Sequence, residues 1–293
     1  MRLRFMLARR SDGPSHIVTE VTERLRRRGL EVASAIAEEV VERPGHLGAE
    51  ADLWLLKSYT PLSLSLAGVL HRAGARVLNP YPACLAARDK IAAAQVLEAA
   101  GIPAPRSWVT GDLSQLAPLV RETPLVVKPY MGWRGEGVRV VRSEAELLAL
   151  PPLQEPALVQ EFLPGPGVDL RVYVAGERVF ATRKPFSARS FSMPGEEVPV
   201  ADEVRGIALR CGQAFGLGLY GLDLIEAPGG PRVVDVNYFP GYKGIAGAAE
   251  AVTEYVVRYA EGAISLPAAG PHGPSLRGAA RPPAPPHVAG TRP

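Results

Sequence analysis

A hairpin that must set two carboxylates face to face constrains this chain more than any other feature: residues 221 to 241 read GLDLIEAPGGPRVVDVNYFPG. Asp223 lies in one apolar run, Asp235 and Asn237 in the next, and Ala227-Pro228-Gly229-Gly230 between them is turn chemistry. Strand side chains alternate with period two. Asp235 and Asn237 therefore share a face, and a hairpin folded about Gly229 sets Asp223 opposite Asp235. Like charges directly opposite each other repel, so the arrangement makes sense with something cationic between them. Hard oxygen donors favour Mg²⁺, which takes one or two carboxylates from protein and completes its shell with water and phosphate. A nucleotide-phosphate site is the first expectation.

The chain has 293 residues, more than one hydrophobic core normally supports, so two or three packed units are expected. Strands at 3–8, 30–36, 52–57 and 75–80 alternate with helices at 15–28 and 61–73, the pattern of a small parallel α/β unit ending near residue 80. A helix over 86–100 is closed by Gly101 and Pro103. Strands at 106–109, 125–128 and 138–141 with a helix at 143–149 make a smaller α+β unit, 81–156. A third unit, 157–266, opens with ALVQEFL, continues through a hairpin and a helix at 201–215, and ends with the carboxylate hairpin and a helix at 246–261. Eight prolines between Pro267 and Pro293, with almost no apolar periodicity, predict a disordered tail over 267–293.

Three further segments carry chemistry. Lys128 ends an apolar strand, and the loop after it holds Gly132, Gly135 and Gly137. Glycines let backbone amides approach phosphate oxygens, and a neighbouring lysine adds a point charge, although a plain hairpin turn explains the glycines equally well. Gln160, Glu161, Phe162 and Leu163 end a strand and run into Pro-Gly-Pro-Gly, a hinge whose backbone can meet the edge of a flat base. Asp169 stands within reach of a ribose hydroxyl with Arg171 on its face, and a surface ion pair is the equal alternative. Lys90, in the first turns of its helix, reads on its own as a solvated lysine.

Several classes are excluded. A net charge of +3 without an aromatic-interleaved basic stripe argues against a nucleic-acid partner, and Arg24 with Arg26, Arg27 and Arg28 reads as the solvated end of a helix. Cys84 and Cys211 stand in no metal-like spacing, no run approaches a membrane span, and the N-terminal apolar stretch is too short for a signal core. A soluble cytoplasmic protein is expected, and the apolar helix start at 60–69 suits a core or a dimer face.

The order of these pieces, with LNPYPACLAARDKIAAAQVLEAAGIPAP, LVVKPYMGWRGEGVRVV, LVQEFLPGPGVDLRVYVAG and the hairpin, resembles the ATP-grasp superfamily over residues 75–262. The resemblance implies an α/β (α+β) ATP-grasp fold: a small parallel N-terminal domain and two α+β subdomains sandwiching ATP. It implies that Lys90 and Lys128 contact ATP phosphates beneath the 132–137 loop, that backbone at 161–163 takes the adenine, and that Asp169 takes the ribose. Asp223, Asp235 and Asn237 would hold two Mg²⁺, with Mn²⁺ able to substitute; Asp, one methylene shorter, stands at 235 where the pattern has Glu. GlyTrpArgGlyGluGlyVal and AspLeuArgValTyrVal are similar to RimK-like carboxylate–amine ligases, in which Arg171 and Arg183 would neutralise an acyl phosphate made on a small-molecule or peptide substrate. AspValAsnTyrPheProGlyTyr resembles instead the inositol polyphosphate kinases of that superfamily, with Lys57, Arg171, Arg183, Lys184, Arg189 and Lys243 available for a basic pocket. A non-catalytic nucleotide-binding regulator is the third alternative.

Overall fold

An unbroken apolar run marks a central strand of the first sheet, because parallel strands are covered on both faces. In the computed structural model, which describes residues 1–9, 15–41, 43–48, 50–132, 135–185 and 194–267, strand β3 (Leu53–Lys57) has four successive buried residues. It lies in a parallel four-stranded sheet with β1 (Arg2–Leu7), β2 (Glu31–Ile36) and β4 (Val77–Leu78), in the order β2-β1-β3-β4. Helix α1 (His16–Arg27) buries Ile17, Val18, Val21 and Leu25 on one stripe. Its basic end is not simply solvated. Arg24 and Arg28 pair with Glu250 at 2.6 and 2.8 Å, joining this unit to the last helix of the chain. Helix α2 (Pro61–Arg72) starts on a Thr60 cap with Pro61 in the first turn and turns Leu64, Ala67 and Leu70 into the core.

The helix expected over 86–100 is two helices, α3 (Tyr81–Arg88) and α4 (Lys90–Ala99). Asp89 is the reason: it takes an extended backbone and its carboxylate accepts from the amides of Ile91 and Ala92 at 2.9 and 3.2 Å, a cap that starts a new helix. Lys90 thereby becomes the first residue of α4.

The central sheet holds β5 (Ser107–Thr110), β6 (Leu125–Pro129), β7 (Arg139–Val141) and β8 (Ala157–Glu161), antiparallel in the order β5-β8-β6-β7, with α5 (Ala117–Glu122) and α6 (Glu144–Leu148) against it. Strand β8 returns between two earlier strands. The boundary expected at 156 therefore cuts this sheet, a non-sequential pairing that reading along the chain does not reveal. The last sheet has the order β11-β10-β9-β12-β13, built from β9 (Val168–Ala175), β10 (Arg178–Pro185), β11 (Glu196–Val198), β12 (Leu219–Ala227) and β13 (Gly230–Tyr238), and α7 (Asp202–Phe215) and α8 (Ala248–Ala260) cover it.

Two cores result. One is continuous from Leu3 through α3, α4 and the last sheet to Ala260, while Leu113, Leu125, Val127, Val141, Leu147 and Val159 belong to a separate small core in the central unit. Trp133 and Arg134 of the glycine loop, Arg189 and the tail from 268 lie outside the described residues.

Asn79 welds the first unit to the last sheet. It is fully buried; its Oδ1 accepts from the amides of Gly218 and Leu219 at 2.8 and 3.0 Å, and its Nδ2 donates to the Leu219 carbonyl at 2.7 Å. Asn79→Ala takes the acceptor from the two buried amides, at about 1–3 kcal/mol each, while the Leu219 carbonyl keeps the Phe239 amide at 2.7 Å. We expect a fall in Tm of roughly 5–10 °C, read by calorimetry; a change within 1–2 °C would show that the weld carries no stability.

Candidate active site

A cleft of about 530 Å³ opens between the central and last sheets. Val126, Val138 and Val140 face it from the central unit, and Ile225 and Val234 from the hairpin, so its two walls are apolar and suited to the faces of a flat ring. Gln160, Glu161, Phe162 and Leu163 line it together with Lys90, Lys128, Gly135, Asp169, Arg171, Asp223 and Asp235. The amides of Glu161 and Phe162 donate to the carbonyls of Arg106 and Pro124 at 3.0 and 2.8 Å, and the Glu161 carboxylate accepts from Arg106 Nε at 2.7 Å. Gln160 is 4% exposed and donates to Ser107 Oγ at 3.2 Å.

The hairpin has the register its sequence predicts, Asp223 against Asp235 and Gly221 against Asn237, with a two-residue turn at Pro228 and Gly229. It also has a bulge: the register steps from Asp223–Asp235 to Leu224–Val233, so Val234 is the extra residue. The Val234 carbonyl accepts from Lys128 Nζ at 3.1 Å. Lys90 Nζ lies 3.5 Å from Asp235 Oδ1 and donates to the Gly132 carbonyl at 3.3 Å. Burial pushes the Lys128 ammonium below the ordinary lysine value, with Asp235 opposing and Lys90 adding.

Asp169 and Arg171 pair at 2.7 Å, as buried ions rather than surface ones: Asp169 is 5% exposed, and Arg171 Nε also lies 3.4 Å from Asp223 Oδ1. Gly135 and Gly137 both take positive φ, and a Cβ on Gly137 would lie 2.6 Å from Pro129 Cγ, so Gly137 shapes the loop from outside the cleft. Asn237 Nδ2 is 3.5 Å from Asp235 Oδ2, and Asp223, Asp235 and Asn237 meet on one wall of an adjoining pocket of about 210 Å³. Among the described residues no group of three or more His, Cys, Asp or Glu converges, so the donors are two carboxylates and one amide, a set that Mg²⁺ accepts.

Arg183 does not join the site. It pairs with Glu226 at 2.6 Å and lines neither pocket. Consecutive strand residues face opposite ways, and it is Lys184, opposite Asp169 in the register, that shares the face of Asp169 and Arg171. Arg88 was also missed, although the tripeptide Arg88-Asp89-Lys90 was in view: the helix break at Asp89 leaves its Nη1 donating to the Gly132 carbonyl at 2.9 Å. After β13 the chain turns through Phe239 and Tyr242, both with positive φ (38° and 49°), at a cost of about 1–3 kcal/mol each. Tyr242 is held by its hydroxyl on the Val174 carbonyl at 2.6 Å, and Tyr59 donates to the Tyr238 carbonyl.

Burial drives the Asp223 carboxyl up to about 7, with Asp169 and Asp235 adding to the shift and Arg171 and Lys184 opposing it. A raised carboxyl keeps its proton in the folded chain between its ordinary value and about 7. Stability of the metal-free protein therefore falls as pH rises through that window. A divalent cation held by Asp223 would have to displace that proton. Its apparent affinity should climb about fivefold between pH 6 and 7 and about twofold more above pH 7 before levelling off, with proton release visible by calorimetry in buffers of different ionisation enthalpy. Affinity flat across that range would remove Asp223 from the metal site.

Comparison with known proteins agrees with this geometry. A probable alpha-L-glutamate ligase of Xanthomonas oryzae pv. oryzae is 38% identical over 185 residues, a match spanning 58% of this chain and only 62% of the relative's length. The crystal structure of a RimK domain ATP-grasp protein from Sphaerobacter thermophilus superposes with a TM-score of 0.70 at 20% identity, over 88% of this chain and all of that one. The ATP-grasp ligase PsnB, solved with a minimal precursor, Mg and ADP, gives a TM-score of 0.64 at 23% identity, over 88% and 97% of the two chains. Residues 87–254, from the end of α3 to the middle of α8, match the model of the RimK-like ATP-grasp domain, and the chain belongs to that family.

Proposed function

We propose that the protein is an ATP- and Mg²⁺-dependent carboxylate–amine ligase. The observation that carries this reading is the meeting of Lys90, Lys128 and the opposed pair Asp223–Asp235 at one end of an apolar slot. ATP-grasp ligases use ATP and Mg²⁺, the sequence relatives are named probable alpha-L-glutamate ligases, and PsnB was solved with Mg and ADP. The Glu161 and Phe162 amides are already bonded, so the base-edge role narrows to the Leu163 amide, with Asp169 toward the ribose and Gln160 bracing the hinge from Ser107. Lys90, Lys128 and the glycine-loop amides hold the phosphates, and Asp223, Asp235 and Asn237 hold two Mg²⁺, for which Mn²⁺ can substitute. The bound cations supply charge neutralisation at the transferring phosphoryl group.

An acceptor carboxylate oxygen attacks the γ-phosphorus and ADP leaves; an amine then attacks the acyl carbon, loses a proton and expels phosphate. Arg171, fixed between Asp169 and Asp223, offers preorganised positive charge to the acyl phosphate and tetrahedral intermediate, and Lys184 supplies the second cation in place of Arg183. The acceptor is a small molecule or the end of a peptide, since the adjoining pocket of about 210 Å³ is below the ~300 Å³ at which drug-sized sites begin. Buried free Cys84 and Cys211 agree with a cytoplasmic location. Among the described residues no helix is long and apolar enough to cross a membrane.

One observation favours a second reading. Lys57, Lys184 and Lys243 come from three separate segments to line that pocket, which suits an anionic acceptor and with it phosphoryl transfer to a polyol phosphate. Purified protein with Mg·ATP separates the two. The ligase reading expects ADP only when a carboxylate and an amine are both supplied; ADP with a phosphorylated polyol and no amine would replace it by the kinase.

A further inference from the structure

The two walls of the nucleotide cleft belong to two separate cores, and Arg88 is a point where they are tied. Its neighbours Cys84 and Ala87 are buried in the large core, whereas Gly132, at the start of the glycine loop, leaves β6 of the small one. Arg88 Nη1 donates to the Gly132 carbonyl at 2.9 Å, and its Nε reaches the Tyr59 carbonyl at 3.4 Å. A planar guanidinium can hold two acceptors on different segments in fixed directions, which an ammonium on a flexible stem does not. Tyr59 is itself anchored to the metal strand: its hydroxyl donates to the Tyr238 carbonyl and its ring packs 4.6 Å from that of Tyr238. A small pocket of about 30 Å³ brings Arg88, Tyr59 and Gly132 together with Asp235 and Asn237.

Arg88 does not line the nucleotide cleft. Lys90, by contrast, lines it and shares the Gly132 carbonyl, so an ammonium drawn toward a phosphate leaves that carbonyl to Arg88. We propose that Arg88 is a positioning residue: it fixes the start of the glycine loop at Gly132 relative to the hairpin of Asp223 and Asp235, so that the amides of Gly135 and Glu136, which line the cleft, meet the terminal phosphate of ATP. This rests on the nucleotide assignment above but not on the identity of the acceptor. The outer phosphate depends on loop placement more than the base does, because the base is held by the hinge at 160–163. Arg88 should therefore govern discrimination between ATP and ADP more than nucleotide binding as such.

Calorimetric titration of the full chain with Mg·AMP-PNP and with Mg·ADP tests this, with the wild type, Arg88→Met and Arg88→Lys compared and Tm measured for each. Arg88→Met should weaken AMP-PNP at least tenfold and ADP less than threefold, with Tm within a few degrees of wild type. Arg88→Lys, which keeps one donor for Gly132, should recover part of the loss and also stands in if the methionine variant does not fold. An unchanged AMP-PNP to ADP ratio in both variants, or equal weakening of the two nucleotides with a large fall in Tm, overturns the positioning role. Wild-type protein that binds neither nucleotide would instead refute the nucleotide assignment itself.

Discussion

Asp235→Ala should lose ATP turnover by at least ~10³-fold, about 4 kcal/mol of transition-state stabilisation, while the metal-free protein melts close to wild type. The two halves of this expectation come from one geometry. Asp235 faces Asp223 across the hairpin, and its charge helps raise the Asp223 carboxyl to about 7. Removing it relieves that repulsion but also takes away the carboxylate 3.5 Å from Lys90, so the two changes in the metal-free protein oppose each other. In the proposed metal site nothing would compensate, because one of its two carboxylate donors would be gone. Asp235→Glu keeps a carboxylate one methylene longer and should retain measurable turnover. Steady-state ADP release and thermal melts without metal give both readings. A metal-free Tm many degrees below wild type would make Asp235 a structural residue.

What could be read from the chain was what depends on local period and turn chemistry. Asp223 opposite Asp235 is what a fold about Gly229 expects, and the pairing stands because the bulge at Val234 offsets a two-residue turn that alone would set Asp223 against Val234; the apolar run at 53–56 announces a strand covered on both faces. The bulge at Val234 was not legible, because it conserves the apolar pattern while shifting the register, and with it went the partner of Lys128. Arg183 and Lys184 show how narrow the margin is: both are cations in one strand, and only the register with β9 decides which faces the carboxylates. The place of β8 between β5 and β6 and the contact of Arg88 with Gly132 are long-range facts with no local signature. Asp89 is the exception. A capping residue in mid-helix was visible, and reading it would have split the helix and drawn attention to the residues on either side.

Lys128→Met should weaken ATP binding by roughly 10- to 150-fold, the ~1.5–3 kcal/mol of a charge-assisted hydrogen bond, and should raise the Tm of the nucleotide-free protein or leave it unchanged. The second half is the more discriminating. Burial holds the Lys128 ammonium below its ordinary value, so the folded chain carries this charge at a cost. For a lysine with a lowered folded value, that cost is present in full below the lowered value and fades as pH rises through it toward the ordinary one. Its bond to the Val234 carbonyl at 3.1 Å is lost in the variant, but that carbonyl lies at the wall of an open cleft where water can replace the ammonium. Methionine keeps the apolar stem and removes the charge. A variant with weaker nucleotide binding and undiminished Tm marks a lysine kept for its ligand. Unchanged affinity for ATP would remove Lys128 from the site, and a Tm lowered by several degrees would mean that its bond to the bulge holds the hairpin in register.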